Sequence, residues 1–234
     1  MMKMKKKLLL FVLLVLALSA RAEDINHGGL ALESFSDDRW ALHVSGGLSI
    51  PTGAPDGVDF STWRSWETNL TPVQYEYTPR NTPMTFSVGL GVTWRRYALK
   101  GDDMGFFKVD DLIVVSHADP LDGSTTLDKF SSQIRTTSLS MPLLAKYNFS
   151  QTFAVSLGVQ LNWNFYGRVY NHYSQGDHDV DMYTKKIGQC PFTVDVLGIF
   201  HVLGVGIYCK YSPMKVLKKD RGPEFNAVSI GVYF

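Results

Sequence analysis

Two cysteines in 234 residues, Cys190 and Cys209, are too few to build a disulfide scaffold of this length, so the fold has to be held by its own packing. Charge of one sign is missing as well. Lysine and arginine number 23 against 22 acidic residues, a net charge of +1 that leaves no electrostatic footprint for nucleic acid, and DNA and RNA are excluded as partners. There is no phosphate-cradling glycine loop, no H-E-x-x-H and no paired C-x-x-C, so no cofactor is expected. A second long apolar run is also absent. The single one, Leu8 to Leu18, holds eleven residues, whereas a spanning helix needs about 20.

That short run follows Lys3, Lys5, Lys6 and Lys7 and precedes Ala20-Arg21-Ala22, the order of a secretory signal: basic n-region, apolar h-region, small-residue cleavage motif. Residues 1–22 are therefore expected to be a cleaved signal peptide, 23–38 a short periplasmic segment, and 39–234 the folded domain. No cysteine stands near position 23 to take a lipid. Yet 45% of the chain is hydrophobic and 13% aromatic, so the exported domain either buries this surface as a soluble β protein or spans a membrane as a closed sheet.

What is present in abundance is strict alternation, in stretches of about ten residues, the length of a transmembrane strand. Trp40, Leu42, Val44, Leu48 and Ile50 oppose His43, Ser45, Gly47 and Ser49. Phe86, Val88, Leu90, Val92 and Trp94 oppose Ser87, Gly89, Gly91, Thr93 and Arg95. The pattern returns from Leu139 to Phe149, most regularly from Phe153 to Phe165, then at Phe192–Val196, Val205–Tyr211 and Val228–Phe234, with a weaker stretch at Trp66–Tyr77. These eight stretches predict an all-β fold: an eight-stranded antiparallel transmembrane β-barrel of meander topology. Tight connections (78–83, 150–151, 200–203) alternate with long polar ones after Ile50, Leu99, Tyr166 and Ser212, as expected for short periplasmic turns and longer extracellular loops. Residues 106–116 alternate too, but would put Asp111 on the greasy face, at a cost of up to a few kcal/mol. They are assigned to a protruding loop hairpin, with ten strands as the alternative.

The faces decide the solvent. The polar face carries mostly Gly, Ser, Ala, Thr and Asn, which suit a narrow filled interior, while Trp, Phe, Tyr, Leu and Val form the other, as on a lipid-facing exterior. A soluble barrel would reverse them. The final stripe, Val228, Ile230, Val232 and Phe234, resembles the C-terminal insertion signal of bacterial outer-membrane proteins, which implies the barrel assembly machinery as a partner through that strand. With Phe86-Ser87-Val88-Gly89-Leu90-Gly91-Val92, Ser140-Met141-Pro142-Leu143-Leu144 and Lys210-Tyr211-Ser212-Pro213, the chain resembles the porin-like or PorT-like outer-membrane β-barrel families of Bacteroidetes. The resemblance implies a fold and the outer membrane, with its lipid as surroundings, and brings no catalytic residue.

Candidate site residues follow from the inward face. Glu67 and Arg95 are expected to pair in the lumen, and Lys146 with Asp195 further in, because a lone buried ion costs several kcal/mol. His43 and Ser45 share that face two residues apart, the one hint of a lipid-modifying enzyme of the acyl hydrolase type. Their separation of nearly 7 Å by strand rise and the lack of an acidic orienter weigh against it, and no catalytic residue is assigned. His172, Asp177, His178, Asp179 and Asp181 share one loop, and a solvated loop explains them better than a metal site. Cys190 and Cys209 are expected to remain free thiols. An eight-stranded interior is just wide enough for side chains, which disfavours the further alternative of a narrow pore. The reading is a non-enzymatic outer-membrane barrel with a structural, surface-contact or assembly or secretion-related role, whose long loops would meet a protein or surface ligand.

Overall fold

A computed structural model describes residues 30–31, 39–80, 82–101, 103–117, 129–150, 152–175 and 178–234. The expected signal peptide, and all of 23–38 except residues 30–31, lie outside the described residues. The strands are β1 (Leu30–Ala31), β2 (Arg39–Thr52), β3 (Trp66–Tyr77), β4 (Met84–Ala98), β5 (Met104–Val109), β6 (Leu112–His117), β7 (Lys129–Asn148), β8 (Phe153–Gln175), β9 (His178–Lys185), β10 (Phe192–Val202), β11 (Val205–Ser212) and β12 (Asn226–Tyr233). They form a ten-stranded sheet and a separate two-stranded one, β5–β6.

Eight of these strands are hydrogen-bonded to a neighbour on both sides, always antiparallel. β2 pairs with β3 and β12, β4 with β3 and β7, β8 with β7 and β10, and β11 with β10 and β12. β9 extends the sheet beside the far half of β8, and β1 pairs with β2 at Ala41 and Leu42, past the point where β12 ends. The chain's last residue is stitched in: Val44 N–H donates to the Phe234 carbonyl and Phe234 N–H to that of Val44, both at 2.9 Å. One end of the assembly carries the tight connections (the turn end); the other carries long connections, including the β5–β6 hairpin (the loop end).

The outer face is apolar along most of its height. Val73, Phe86, Val88, Leu90, Trp94, Leu157, Trp163, Val196, Phe200, Ile207 and Ile230 are all more than a third exposed, whereas Ser49, Thr93, Ser138, Ser140, Ser156, Gln160, Asn162, Asp195 and Lys210 on the inner face are buried. This inverts the usual arrangement of a water-soluble protein. Pleating produces the alternation, and the inversion follows from what each face has to dissolve in. The inner face is crowded enough to require glycine. A Cβ on Gly91 would stand 2.5 Å from the Leu70 carbonyl oxygen, and one on Gly47 2.2 Å from that of Ile230.

Residues 106–116 fall within the β5–β6 hairpin, as expected from Asp111, and the hairpin has no strand pairing with the large sheet. Two strands run further than their alternation suggested. β7 begins at Lys129, ten residues before the stripe at Leu139, and β8 continues to Gln175, ten beyond Phe165. A register shift opposite Thr137/Leu139 gives β8 one extra residue between Trp163 and Tyr166, so periodicity breaks there while the strand goes on.

Candidate functional site

The middle of the interior is occupied by four ionised side chains from four strands. Glu67 (β3) and Arg95 (β4) are cross-strand partners, and Arg95 Nε donates to Glu67 Oε2 at 2.8 Å. The other arm of Arg95 donates to Asp195 Oδ2 on β10, and Lys210 Nζ on β11 contacts Glu67 Oε1. Tyr208 donates its hydroxyl to Glu67 Oε1 at 3.3 Å, and Asn162 its amide to Asp195 Oδ2 at 2.8 Å. None of the four charged side chains is more than 6% exposed. Two carboxylates and two cations cancel, which is the condition for carrying such groups where water is scarce: the desolvation of each ion is offset only by close, hydrogen-bonded opposites.

Around this bracing lies an amide and hydroxyl mesh. Asn69 donates to Thr93 Oγ1 (2.6 Å) and Ser140 Oγ (2.9 Å), Gln160 donates to Asn162 Oδ1 (2.7 Å), and Asn164 donates to Thr193 Oγ1 (3.2 Å) and the Cys190 carbonyl (2.7 Å). Above it, at the loop end, the filling becomes apolar. Tyr97, Ile134, Val169 and Ala227 from the sheet pack with Phe106 and Ile113 of the hairpin and with Leu99, Ile187, Leu217 and Phe225 of the connections. Phe106 is bound by its backbone too: its N–H donates to Ser132 Oγ at 2.8 Å and its carbonyl accepts from Asn171 Nδ2 at 2.9 Å.

At the turn end the interior opens into a vestibule of about 180 Å³, with His43, Glu76, Lys146, Ser156, His201 and Tyr233 on its walls. His43 and Ser45 both face inward but do not bond each other. His43 Nδ1 lies 3.2 Å from the Phe234 carbonyl oxygen, its Nε2 lies 3.7 Å from Glu76, and its ring stacks on Tyr233. The structure joins a different serine and histidine, Ser156 Oγ and His201 Nε2, at 2.8 Å. Among the described residues no carboxylate is hydrogen-bonded to His201, so the orienting third member of a hydrolytic triad is not in place.

The expected partnership of Lys146 with Asp195 is corrected by register. Asp195 pairs with Gln160, and Gln160 with Pro142, so Lys146 lies four residues nearer the turn end, about 14 Å along the strand. Asp195 is taken by Arg95 and Lys146 lines the vestibule. Lys210 and Tyr208 complete the set, and alternation with Ile207, Cys209 and Tyr211 is their signal in the sequence: it places a lysine on the inward face, where it must find a carboxylate. Ile230 and Val232 of the final stripe face outward and are exposed.

In the loop cluster, His172 Nδ1 lies 2.7 Å from Asp181 Oδ1, while Asp177 falls outside the described residues. Among the described residues, no three His, Cys, Asp or Glu side chains are grouped to hold a metal ion. Both cysteines are free thiols.

Comparison with known proteins agrees with this architecture. Residues 32–208 match the model of the outer membrane protein beta-barrel domain family, and the chain belongs to that family. Its place is the outer membrane. No curated protein matches the chain. Among solved structures, Ail, the attachment invasion locus protein of Yersinia pestis, is 13% identical, covering 82% of this chain and 96% of its own at a TM-score of 0.37. Ail in complex with the heparin analogue sucrose octasulfate gives 12%, 84%, 99% and 0.39. A triple mutant of Rhodopseudomonas blastica porin gives 12%, 83%, 99% and 0.21. Likenesses of this size say nothing of what the chain does.

Proposed function

We propose that the protein is an eight-stranded meander barrel with a filled interior, a non-enzymatic outer-membrane protein that presents its loop end to the exterior as a contact surface. The observation that carries this reading is the double stopper: a neutral, hydrogen-bonded set of charges at mid-height and an apolar core above it. A pore would need a continuous wet path, and each of these levels removes it. The two-sided pairing of β2, β3, β4, β7, β8, β10, β11 and β12 supports the strand count. The short turns support a periplasmic turn end, with the vestibule opening to the periplasm and residues 1–22 removed on export. The stripe Val228, Ile230, Val232 and Phe234, fixed to β2 through Phe234, is the segment we assign to recognition by the assembly machinery.

Two measurements test the reading. Purified protein in planar lipid bilayers should show no conductance steps, and regular steps would replace the stopper with a channel. A Lys219→Cys substitution in a chain lacking Cys190 and Cys209 should be labelled by an impermeant maleimide on intact cells, since Lys219 lies in the exposed connection 213–225. Labelling only after the outer membrane is opened would invert the orientation.

A further inference from the structure

The outer wall carries a feature that the filled interior does not explain. Register aligns Arg96 of β4 with Arg135 of β7, Arg135 with Arg168 of β8, and Arg168 with Lys185 of β9, so four cations stand abreast on four adjacent strands. Arg96, Arg135 and Arg168 face away from the interior, because their neighbours Arg95, Ile134 and Val169 are the buried ones, and Lys185 is exposed. Arg64, bonded to Ser131 Oγ on β7, adds a fifth positive charge close by. At a strand spacing of about 4.8 Å the row is about 14 Å long.

Like charges directly opposed across strands destabilise a sheet. Among the described residues, none of the five is in an ion pair, although the pairs Lys108–Asp111 and Arg221–Asp111 form at the same end of the molecule. Asp181, the nearest acid on β9, is taken by Tyr170 and His172, each at 2.7 Å. Arg135 lies over the Tyr170 ring at 4.4 Å, and the Nε atoms of Arg96 and Arg135 are buried with no hydrogen-bond partner. The Tyr170 ring thus holds the Arg135 guanidinium in place, and among the described residues no carboxylate forms an ion pair with the row.

The height of the row identifies what meets it. From Met84 to Trp94 the outward side of β4 is apolar, ten steps or about 34 Å along the strand, which a tilt near 40° reduces to about 26 Å of height. That matches the apolar band of an outer-membrane barrel, about 25 Å tall. Arg96 is the next outward residue after Trp94, so the row stands where hydrocarbon gives way to headgroups. Guanidinium forks at that level, several of them a strand apart, fit phosphate oxygens, to which arginine binds through two parallel hydrogen bonds.

We infer that Arg96, Arg135, Arg168 and Lys185 form a binding site on the barrel wall for the phosphate groups of a phosphorylated glycolipid of the outer leaflet. This rests on the orientation proposed above, which the Lys219→Cys labelling tests independently. The site fixes the barrel to its own membrane through charge, and leaves the loop end above it free for contact.

The test uses the full mature chain, folded in nanodiscs of zwitterionic lipid, with retention of added bisphosphorylated lipid A followed by native mass spectrometry. Wild type should retain lipid A at least tenfold better than its fully dephosphorylated form. R96Q/R135Q/R168Q should lose that preference and still run as a folded, heat-modifiable barrel, while the triple lysine variant, which keeps the charge without the forks, should keep only part of it. Should the triple glutamine variant misfold, the single R135Q variant, expected to lose severalfold, serves in its place. Equal retention of the dephosphorylated lipid, or undiminished retention by the glutamine variants, would overturn the site. Equal retention of phosphatidylglycerol, or competition by inorganic phosphate at matched concentration, would show a general anion site and overturn the glycolipid assignment.

Discussion

β7 and β8 each pass through two solvents, and the two halves of these strands obey opposite rules. In the turn-end half, Leu139, Leu143, Leu157 and Trp163 face outward while Ser138, Ser140, Ser156 and Asn162 are buried inside; in the loop-end half, Arg135 and Arg168 face outward while Phe130, Ile134, Val169 and Tyr173 are buried inside. The lower half lies in lipid, so its exterior is apolar and its narrow interior carries the polar groups. The upper half stands in water, so it buries hydrophobic surface like any soluble domain. Arg95 and Arg96 mark the crossing in β4: one guanidinium is bound between Glu67 and Asp195, the other faces the lipid boundary beside Arg135. A barrel of this kind is held by charge neutrality below the crossing and by hydrophobic packing above it.

The comparison is broken most directly at Glu67. Glu67→Gln leaves two cations facing one carboxylate in the buried set, and removal of one partner of a buried pair typically costs about 3–5 kcal/mol. The urea midpoint of unfolding, followed by heat-modifiable gel mobility, should fall accordingly. E67Q/K210M restores neutrality, leaving Arg95 with Asp195, and should recover part of the loss. A double variant less stable than E67Q alone would show that the four side chains do not balance one another.

The loop-end half should respond differently. Phe106→Ala opens a cavity in the apolar core, worth about 3 kcal/mol at the low end for such a truncation. That core closes the mouth and leaves the eight-strand pairing intact. Hydrogen exchange of amides in 104–117 should therefore speed by two orders of magnitude or so while the global urea midpoint moves little, because local openings draw only on local contacts. An equal drop in the global midpoint would mean that the cap and the membrane-embedded half unfold together.

The same division explains what could be read in advance. Alternation revealed the lower half, since one solvent outside and one filling inside give a single rule for every strand. It failed in the upper half, where the polarity of the faces reverses and the extra residue in β8 shifts the phase, so that Ile134, Val169 and the long ends of β7 and β8 looked like loop. Glu67 beside Arg95 followed from a tight turn, which sets register locally. Lys146 with Asp195 did not follow, because the relative depth of strands separated by a neighbour depends on two registers, and an error of four residues moves a charge from the bracing to the vestibule. The row of cations was invisible for the same reason: Arg96, Arg135, Arg168 and Lys185 span 90 positions of sequence and become neighbours only when three registers are known.

Asp111 gives the smallest and sharpest probe of the loop-end half. Its charge disfavours a place for residues 106–116 on the lipid face, and in the fold it fastens the hairpin tip: Arg221 Nη1 lies 2.7 Å from its carboxylate and also donates to its carbonyl at 3.3 Å, Lys108 Nζ lies at 3.6 Å, and Ile113 N–H donates to the Arg221 carbonyl at 2.9 Å. The hydrogen bond and charge of Arg221, aided by Lys108, hold the Asp111 carboxyl below its ordinary range. A depressed carboxyl contributes stability that is complete above its unfolded-state value and is lost as pH falls through the folded one. The group is exposed, so water and salt screen the pair and its effect is modest. Asp111→Asn should thus speed exchange of the hairpin amides by no more than about fivefold at neutral pH and low salt. The difference from wild type should shrink in high salt and vanish once the pH is low enough to protonate Asp111. A difference that persists unchanged in acid would mean that the side chain acts through shape, and that the hairpin tip is not held by charge.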